Sequence, residues 1–226
     1  MSALLGLTPV GADQDGSREE SAAPLAPPSP YQRWLKPSID RVAAAALLLV
    51  VLPAMVIIAL AIRIKLGRGV LYRQERVGLG GRRFVIFKFR TMAHDRRCTH
   101  LQLVGEDRRQ NHKHPDDPRH TALGKLLRKS SLDELPQLIN VLLGDMSLVG
   151  PRPELPGVVA TYSAWQHRRH AVKPGITGLW QVSPQRSGRM DQATALDLAY
   201  VGAVSFRTDV TVLLRTVPAV FRRDTF

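Results

Sequence analysis

The 226-residue chain carries 32 Lys and Arg against 19 Asp and Glu, a formal net charge of +13, with 44% hydrophobic residues and one cysteine, Cys98. That length supports one domain with a real core plus appendages, and a lone cysteine excludes disulfide-scaffold classes and is compatible with a reducing compartment. The positive surplus points to an anionic partner: nucleic acid, phospholipid or a phosphorylated substrate.

Residues 1–30 contain Pro24, Pro27, Pro28 and Pro30, with four acids and one base. This composition predicts a disordered tail, without the basic start and early apolar core of a signal peptide. The rest of the chain then carries +16. Residues 42–62 hold 21 positions without a charge, long enough to cross a bilayer core as a helix. Pro53 lies at the midpoint, where it removes a hydrogen bond and bends the helix. Arg33, Lys36 and Arg41 precede the run, and Arg63, Lys65, Arg68, Arg73 and Arg76 follow it. Cations collect on the cytoplasmic side of a membrane. We therefore read residues 31–68 as a re-entrant, monotopic anchor that enters and returns through one leaflet. A spanning helix and a soluble core helix are the alternatives.

Residues 70–74 and 84–89 are β-prone, with Gly78-Leu79-Gly80-Gly81 between them, which predicts a hairpin. Phe87, Lys88, Phe89 and Arg90 fit a nucleic-acid-binding strand or an amphipathic strand with snorkelling cations near lipid. Residues 93–120 read as a polar loop with His94, His100, His112, His114 and His120. His112 and His114 are the residues to consider for a metal, but no zinc-type spacing accompanies them.

Next comes an acidic pair in basic surroundings. Lys125, Arg128 and Lys129 lead into Ser130-Ser131-Leu132-Asp133-Glu134-Leu135-Pro136-Gln137-Leu138. Asp133 reads as the N-cap of a short helix, Pro136 falls in its first turn and Gly144 stops it. A helix N-terminus stabilises a carboxylate and also suits a phosphate; an ordinary capped helix is the bland reading. Arg152, between Pro151 and Pro153, is a rigidly presented guanidinium suited to a bidentate phosphate grip, or a solvated Arg in a proline-rich turn. Residues 162–172 predict a basic helix, 173–178 a glycine turn, 179–182 a short strand, 183–188 a loop bearing Arg186, and 194–200 a helix. The terminal stretch repeats Val210, Leu213, Leu214, Val217, Val220 and Phe221 at helical spacing, with Pro218 to bend it. It fits a helix in the headgroup layer or one packed on the core.

Taken together, the segments resemble one family. The proline-broken anchor, Arg76-Val77-Gly78, Phe87-Lys88-Phe89-Arg90-Thr91-Met92, the stretch 127–137, the stretch 144–153 and the stretch 173–182 are similar, in order, to the bacterial sugar transferases of the monotopic phosphoglycosyltransferase superfamily. The resemblance covers nearly all of the chain outside the tail. It implies an α/β fold, mixed and mainly helical: a compact monotopic membrane domain with a proline-broken re-entrant helix, a small β-hairpin and interfacial amphipathic helices. The divisions are 1–30 tail, 31–68 anchor and 69–226 catalytic domain.

The resemblance also implies chemistry. Asp133 matches the family's nucleophile and its Mg²⁺ position, and Glu134 matches its acidic partner, placing groups or assisting proton transfer. Arg128 and Arg152 match phosphate contacts, and Arg90 is added to them. The expected reaction moves a sugar 1-phosphate from a UDP-sugar to a polyprenyl phosphate, releasing UMP through an aspartyl intermediate, in exopolysaccharide or other surface glycan synthesis. The expected location is the cytoplasmic face of the inner membrane, against phospholipid and without nucleic acid; a homodimer is compatible. Two departures stand out. Leu52-Pro53 replaces the family's frequent Ser-Pro, and Pro184-Gln185-Arg186 interrupts its Gly-Arg loop. The rival reading is a non-enzymatic basic protein that binds a membrane surface or nucleic acid, which leaves Asp133 and Glu134 without a purpose.

Overall fold

The computed structural model describes residues 27–93, 121–184 and 190–221. Most of the tail and the histidine-rich loop, including His112 and His114, lie outside them.

A π-helical turn, Tyr31–Leu35, leads into helix α1, Lys36–Leu66. Pro37 sits at the start, where its missing N–H costs nothing, and Gly67 ends the helix at φ 79°. The helix continues through Pro53. One proline removes a single hydrogen bond, and the turns on either side still close theirs. An inward stripe at helical spacing carries Lys36, Asp40, Ala44, Leu48, Val51, Met55, Ile58, Ile62 and Leu66. The N-terminal half of this stripe packs with Ile86, Leu138, Val141 and Met146. Its C-terminal half packs with Phe89 and Leu127. Both halves therefore rest on the same body, while Leu49, Val50, Ile57 and Ile64 stay more than 65% exposed. Among the described residues this is the one helix long and apolar enough to cross a membrane.

A buried network that the sequence did not reveal holds the foot of α1. Asp209 accepts from Lys36 Nζ, Tyr31 Oη and Tyr200 Oη, each at 2.7 Å. Asp40 accepts from Ser147 Oγ at 2.6 Å. Buried charges persist only when paired and hydrogen-bonded in this way.

Strands β1, Leu71–Val77, and β2, Arg83–Phe89, form the expected hairpin, longer than the sequence suggested, in register from Leu71↔Phe89 to Val77↔Arg83. Gly80 and Gly81 turn it at φ 62° and 78°, angles that glycine adopts without a Cβ clash. Helix α2, Ala122–Lys129, is capped by Thr121, whose Oγ1 accepts from Gly124 N at 3.0 Å. Helix α3, Gln137–Leu143, ends on Gly144 at φ 89°, as read from the sequence. Asn140 on α3 ties it to the hairpin, accepting from Phe87 N and donating to Val85 O.

Strands β3, Ser147–Val149, and β4, Gly175–Thr177, pair in parallel. A Cβ on Gly175 would lie 2.0 Å from Gly150 N, so the two chains cross where no side chain fits. Between them lie the short helices α4, Pro156–Val159, and α5, Ala164–His167, the latter opened by a Ser163–Gln166 capping box. A tight turn, Arg168–Ala171, follows. The single basic helix read over 162–172 is thus two shorter pieces. Residues Leu179–Val182, read as a strand, form a helical turn, α6, closed by local bonds from Val182 N to Gly178 O and from Ser183 N to Trp180 O. Helices α7, Met190–Gly202, and α8, Phe206–Phe221, complete the body, with Pro218 inside α8. Tyr200 and Val212 anchor them in the core. The described residues are mainly helical, with two small two-stranded sheets.

Candidate active site

The acidic pair does not cap a helix directly. Ser131 adopts φ 56°, ψ 15°, and a 3₁₀ turn, Leu132–Glu134, separates α2 from α3; Pro136 takes the cap position. The cause is local. Ser130 Oγ donates to Leu126 O at 2.8 Å, and Ser131 N donates to Arg128 O, so α2 is closed off at the serines. Left-handed backbone at a non-glycine residue is uncommon, and stored strain of this kind clusters at functional sites. Among the described residues, Ser131 is the one non-glycine residue with positive φ. The turn presents Asp133 and Glu134 half-buried at its end.

Two cations converge on Glu134. Its Oε1 accepts from Lys88 Nζ at 2.7 Å and from an Arg152 terminal nitrogen at 3.0 Å. Lys88 comes from β2 and Arg152 from the segment after β3, so the site joins the hairpin, the turn and the parallel pair. Burial opposes ionisation of Glu134. Arg152 and Lys88, by charge and by direct hydrogen bonds, outweigh it and hold the carboxyl far below its usual range. Asp133 behaves oppositely. Burial, and then the Glu134 charge beside it, push it up to about 6, while Lys88 and Arg152 pull it down. At neutral pH both are ionised, but only Glu134 has its charge neutralised by contact. Asp133 has no salt-bridge partner among the described residues.

The expected site residues divide accordingly. Asp133, Glu134 and Arg152 meet. Arg128 stands half-buried on the last turn of α2, on the segment that leads into the acidic turn. Arg90 is engaged elsewhere, for its guanidinium donates to the Leu66, Gly67 and Arg68 carbonyls at 2.5, 3.1 and 2.7 Å. That closes the C-terminal end of α1, where a cation also suits the helix dipole. Lys88, which the sequence offers as a strand cation facing nucleic acid or lipid, instead faces Glu134. The signal for it was alternation along β2, which puts it on the opposite face from Phe87 and Phe89. Among the described residues no three His, Cys, Asp or Glu side chains form a metal cluster. A carboxylate without a salt-bridge partner among the described residues, Asp133, fits the donor chemistry of Mg²⁺, which binds through one or two carboxylates with phosphate and water as its other ligands.

Such a site, with one neutralised and one available carboxylate between cations, suits attack on a phosphorus. A family model, bacterial sugar transferase, matches residues 31–223. The chain belongs to the bacterial sugar transferases. The transferase is 44% identical to the uncharacterized sugar transferase EpsL of Bacillus subtilis over 159 residues, covering 70% of this chain and 73% of that one. It is 42% identical to the UDP-glucose:undecaprenyl-phosphate glucose-1-phosphate transferase of Caulobacter vibrioides over 194 residues, covering 82% and 69%. It is 37% identical to the undecaprenyl-phosphate galactose phosphotransferase of Salmonella typhimurium over 198 residues, covering 85% of this chain but only 41% of that longer protein. The matched region takes in α1, both sheets and the acidic turn of the transferase.

Proposed function

We propose that the transferase moves a sugar 1-phosphate from a UDP-sugar to a polyprenyl phosphate of the undecaprenyl or decaprenyl type, releasing UMP, at the cytoplasmic face of the inner membrane. The relatives named for this reaction support the substrate classes, and one observation carries the chemistry. Glu134 is pinned by Lys88 and Arg152, whereas Asp133, its neighbour, has no salt-bridge partner among the described residues.

An Asp133 carboxylate oxygen attacks the β-phosphorus of the UDP-sugar. The bond from that phosphorus to the oxygen bridging to the α-phosphate breaks, and UMP leaves with the electron pair. A phosphate oxygen of the polyprenyl phosphate then attacks the same phosphorus and releases the Asp133 carboxylate. Two easier displacements replace one hard transfer. Neither step moves a proton through Asp133, so ionisation is its only requirement. Lys88 and Arg152 supply positive charge where phosphoryl oxygens gather charge, with Glu134 holding both cations in place before substrate arrives. Mg²⁺, held by Asp133 together with substrate phosphate, would neutralise the diphosphate.

The anchor fits these substrates. One is soluble and the other is carried in lipid, and α1 presents an apolar outer face next to the body that carries the site. The basic surplus attracts both anions. The test is UMP release from UDP-glucose, UDP-galactose and N-acetylated UDP-hexoses with undecaprenyl phosphate and Mg²⁺. Release that requires both the lipid phosphate and Asp133 supports the reading; nucleic-acid binding with no transfer on any sugar overturns it.

A further inference from the structure

Arg152 lies in a segment with few backbone handles. Pro151 and Pro153 have no N–H, so carbonyls must do the fixing. All three successive carbonyls are held. Pro151 O accepts from Gly175 N at 2.9 Å. Arg152 O accepts from a terminal nitrogen of Arg169 at 2.8 Å, and Pro153 O from one of Arg76 at 3.2 Å. A backbone N–H would satisfy such a carbonyl at far lower desolvation cost than a buried guanidinium. Arg169 is only 4% exposed and is itself fixed, by an ion pair with Asp197 of α7 and a hydrogen bond to Tyr162. Arg76 is steadied by Gln74 at 2.6 Å and by Glu154 at 3.9 Å, and Val77 N bonds Glu154 O at 2.9 Å.

We infer that Arg169 and Arg76 are positioning residues that grip the Arg152 and Pro153 carbonyls and so aim the Arg152 guanidinium at the reacting phosphate. The inference rests on the proposed phosphate role of Arg152 and adds the device that sets its direction. The Arg169 guanidinium bridges the Arg152 carbonyl to Asp197 of α7, and the Arg76 guanidinium ties the Pro153 carbonyl to strand β1, where Gln74 steadies it. At Arg169 one terminal nitrogen serves both the Arg152 carbonyl and Asp197 while the other holds Tyr162; a lysine keeps the positive charge but has a single nitrogen and no planar fork to hold all three.

The test is a double-mutant cycle on the full chain, with UMP release from whichever of UDP-glucose or UDP-galactose the unaltered protein uses, and thermal melting of each variant. Arg169→Lys is expected to lower kcat by about tenfold or more while KM for undecaprenyl phosphate holds. In an Arg152→Lys background the same change is expected to add less than about threefold, because residues acting through one another are not additive. A purely structural role lowers activity in both backgrounds equally, and that multiplicative result overturns the inference, as does wild-type kcat in Arg169→Lys. If Arg169→Lys does not fold, Arg76→Lys in the same cycle decides the matter by the same criterion. Undiminished turnover in Arg152→Lys alone removes the phosphate role of Arg152 and the inference with it. Loss in Arg152→Lys without loss in Arg169→Lys or Arg76→Lys removes the inference only.

Discussion

At the scale of single residues, the two adjacent acids have been given opposite environments. Asp133→Asn keeps shape and hydrogen-bonding capacity but not the attacking oxygen, so we expect UMP release to fall to background with melting unchanged. Lys88→Met should lower turnover about 100-fold, the cost of removing one charge-assisted contact from a partly buried site. It should also weaken the fold, because Glu134 keeps only Arg152; wild-type turnover in that variant would contradict its role. His170 gives a pH signature. Burial, then the charge of Arg169, then His167, push it down to about 4 from 6.5. Between those values the unfolded chain binds the proton and the folded one does not. The contribution of His170 to stability is therefore full above about 6.5 and falls as pH drops towards 4. His170→Asn should remove this contribution, so its melting temperature should rise relative to the parent's as pH drops from about 6.5 to about 4, the opposite contributions of Asp133 and Asp197 being common to both proteins. A constant difference across that window would contradict the assignment. The acidic pair and Arg152 were legible in the sequence because they sit in short, distinctive contexts. The pairing of Lys88 with Glu134 was not, since Lys88 is 46 residues away from it in sequence and nothing local ties them.

At the scale of elements, turns and the hairpin were legible and the parallel pairing was not. Gly144 and the Gly78–Gly81 turn announced a helix end and a hairpin through residues whose backbone freedom is local. The parallel pair β3–β4 was missed because three-residue strands have no periodicity to detect, and the motif glycines read as a turn. Their purpose is close approach. Gly175→Ala places a Cβ 2.0 Å from Gly150 N, overlapping backbone that has no rotamer to give way. We expect a loss of more than about 3 kcal/mol or no folded protein, and a melting temperature within a degree or two of the parent would contradict this packing. The acidic turn was taken for a helix start because Asp is favoured at N-caps. The left-handed Ser131 that displaces it follows from the hydrogen bonds that close α2 at the serines, which the N-cap preference of Asp does not record.

At the scale of the whole molecule, a long apolar helix and a basic catalytic body form one unit. The sequence marked the helix by its length without charge. It could not show that one stripe of that helix, from Lys36 to Leu66, packs against the body throughout. We expect a re-entrant seat, so cysteines placed at positions 35 and 68, in a Cys98→Ser background, should label from the same side of sealed vesicles; labelling from opposite sides would mean a spanning helix. That seat matters because the chemistry needs a soluble diphosphate and a lipid-borne phosphate to reach one carboxylate in turn. The most direct measurement is mass spectrometry of protein trapped with its correct UDP-sugar and Mg²⁺ in the absence of lipid acceptor. We expect the mass of a sugar phosphate on the peptide containing Asp133, discharged when undecaprenyl phosphate is added. Full turnover with no adduct on that peptide, and the same turnover in Asp133→Asn, would contradict the account.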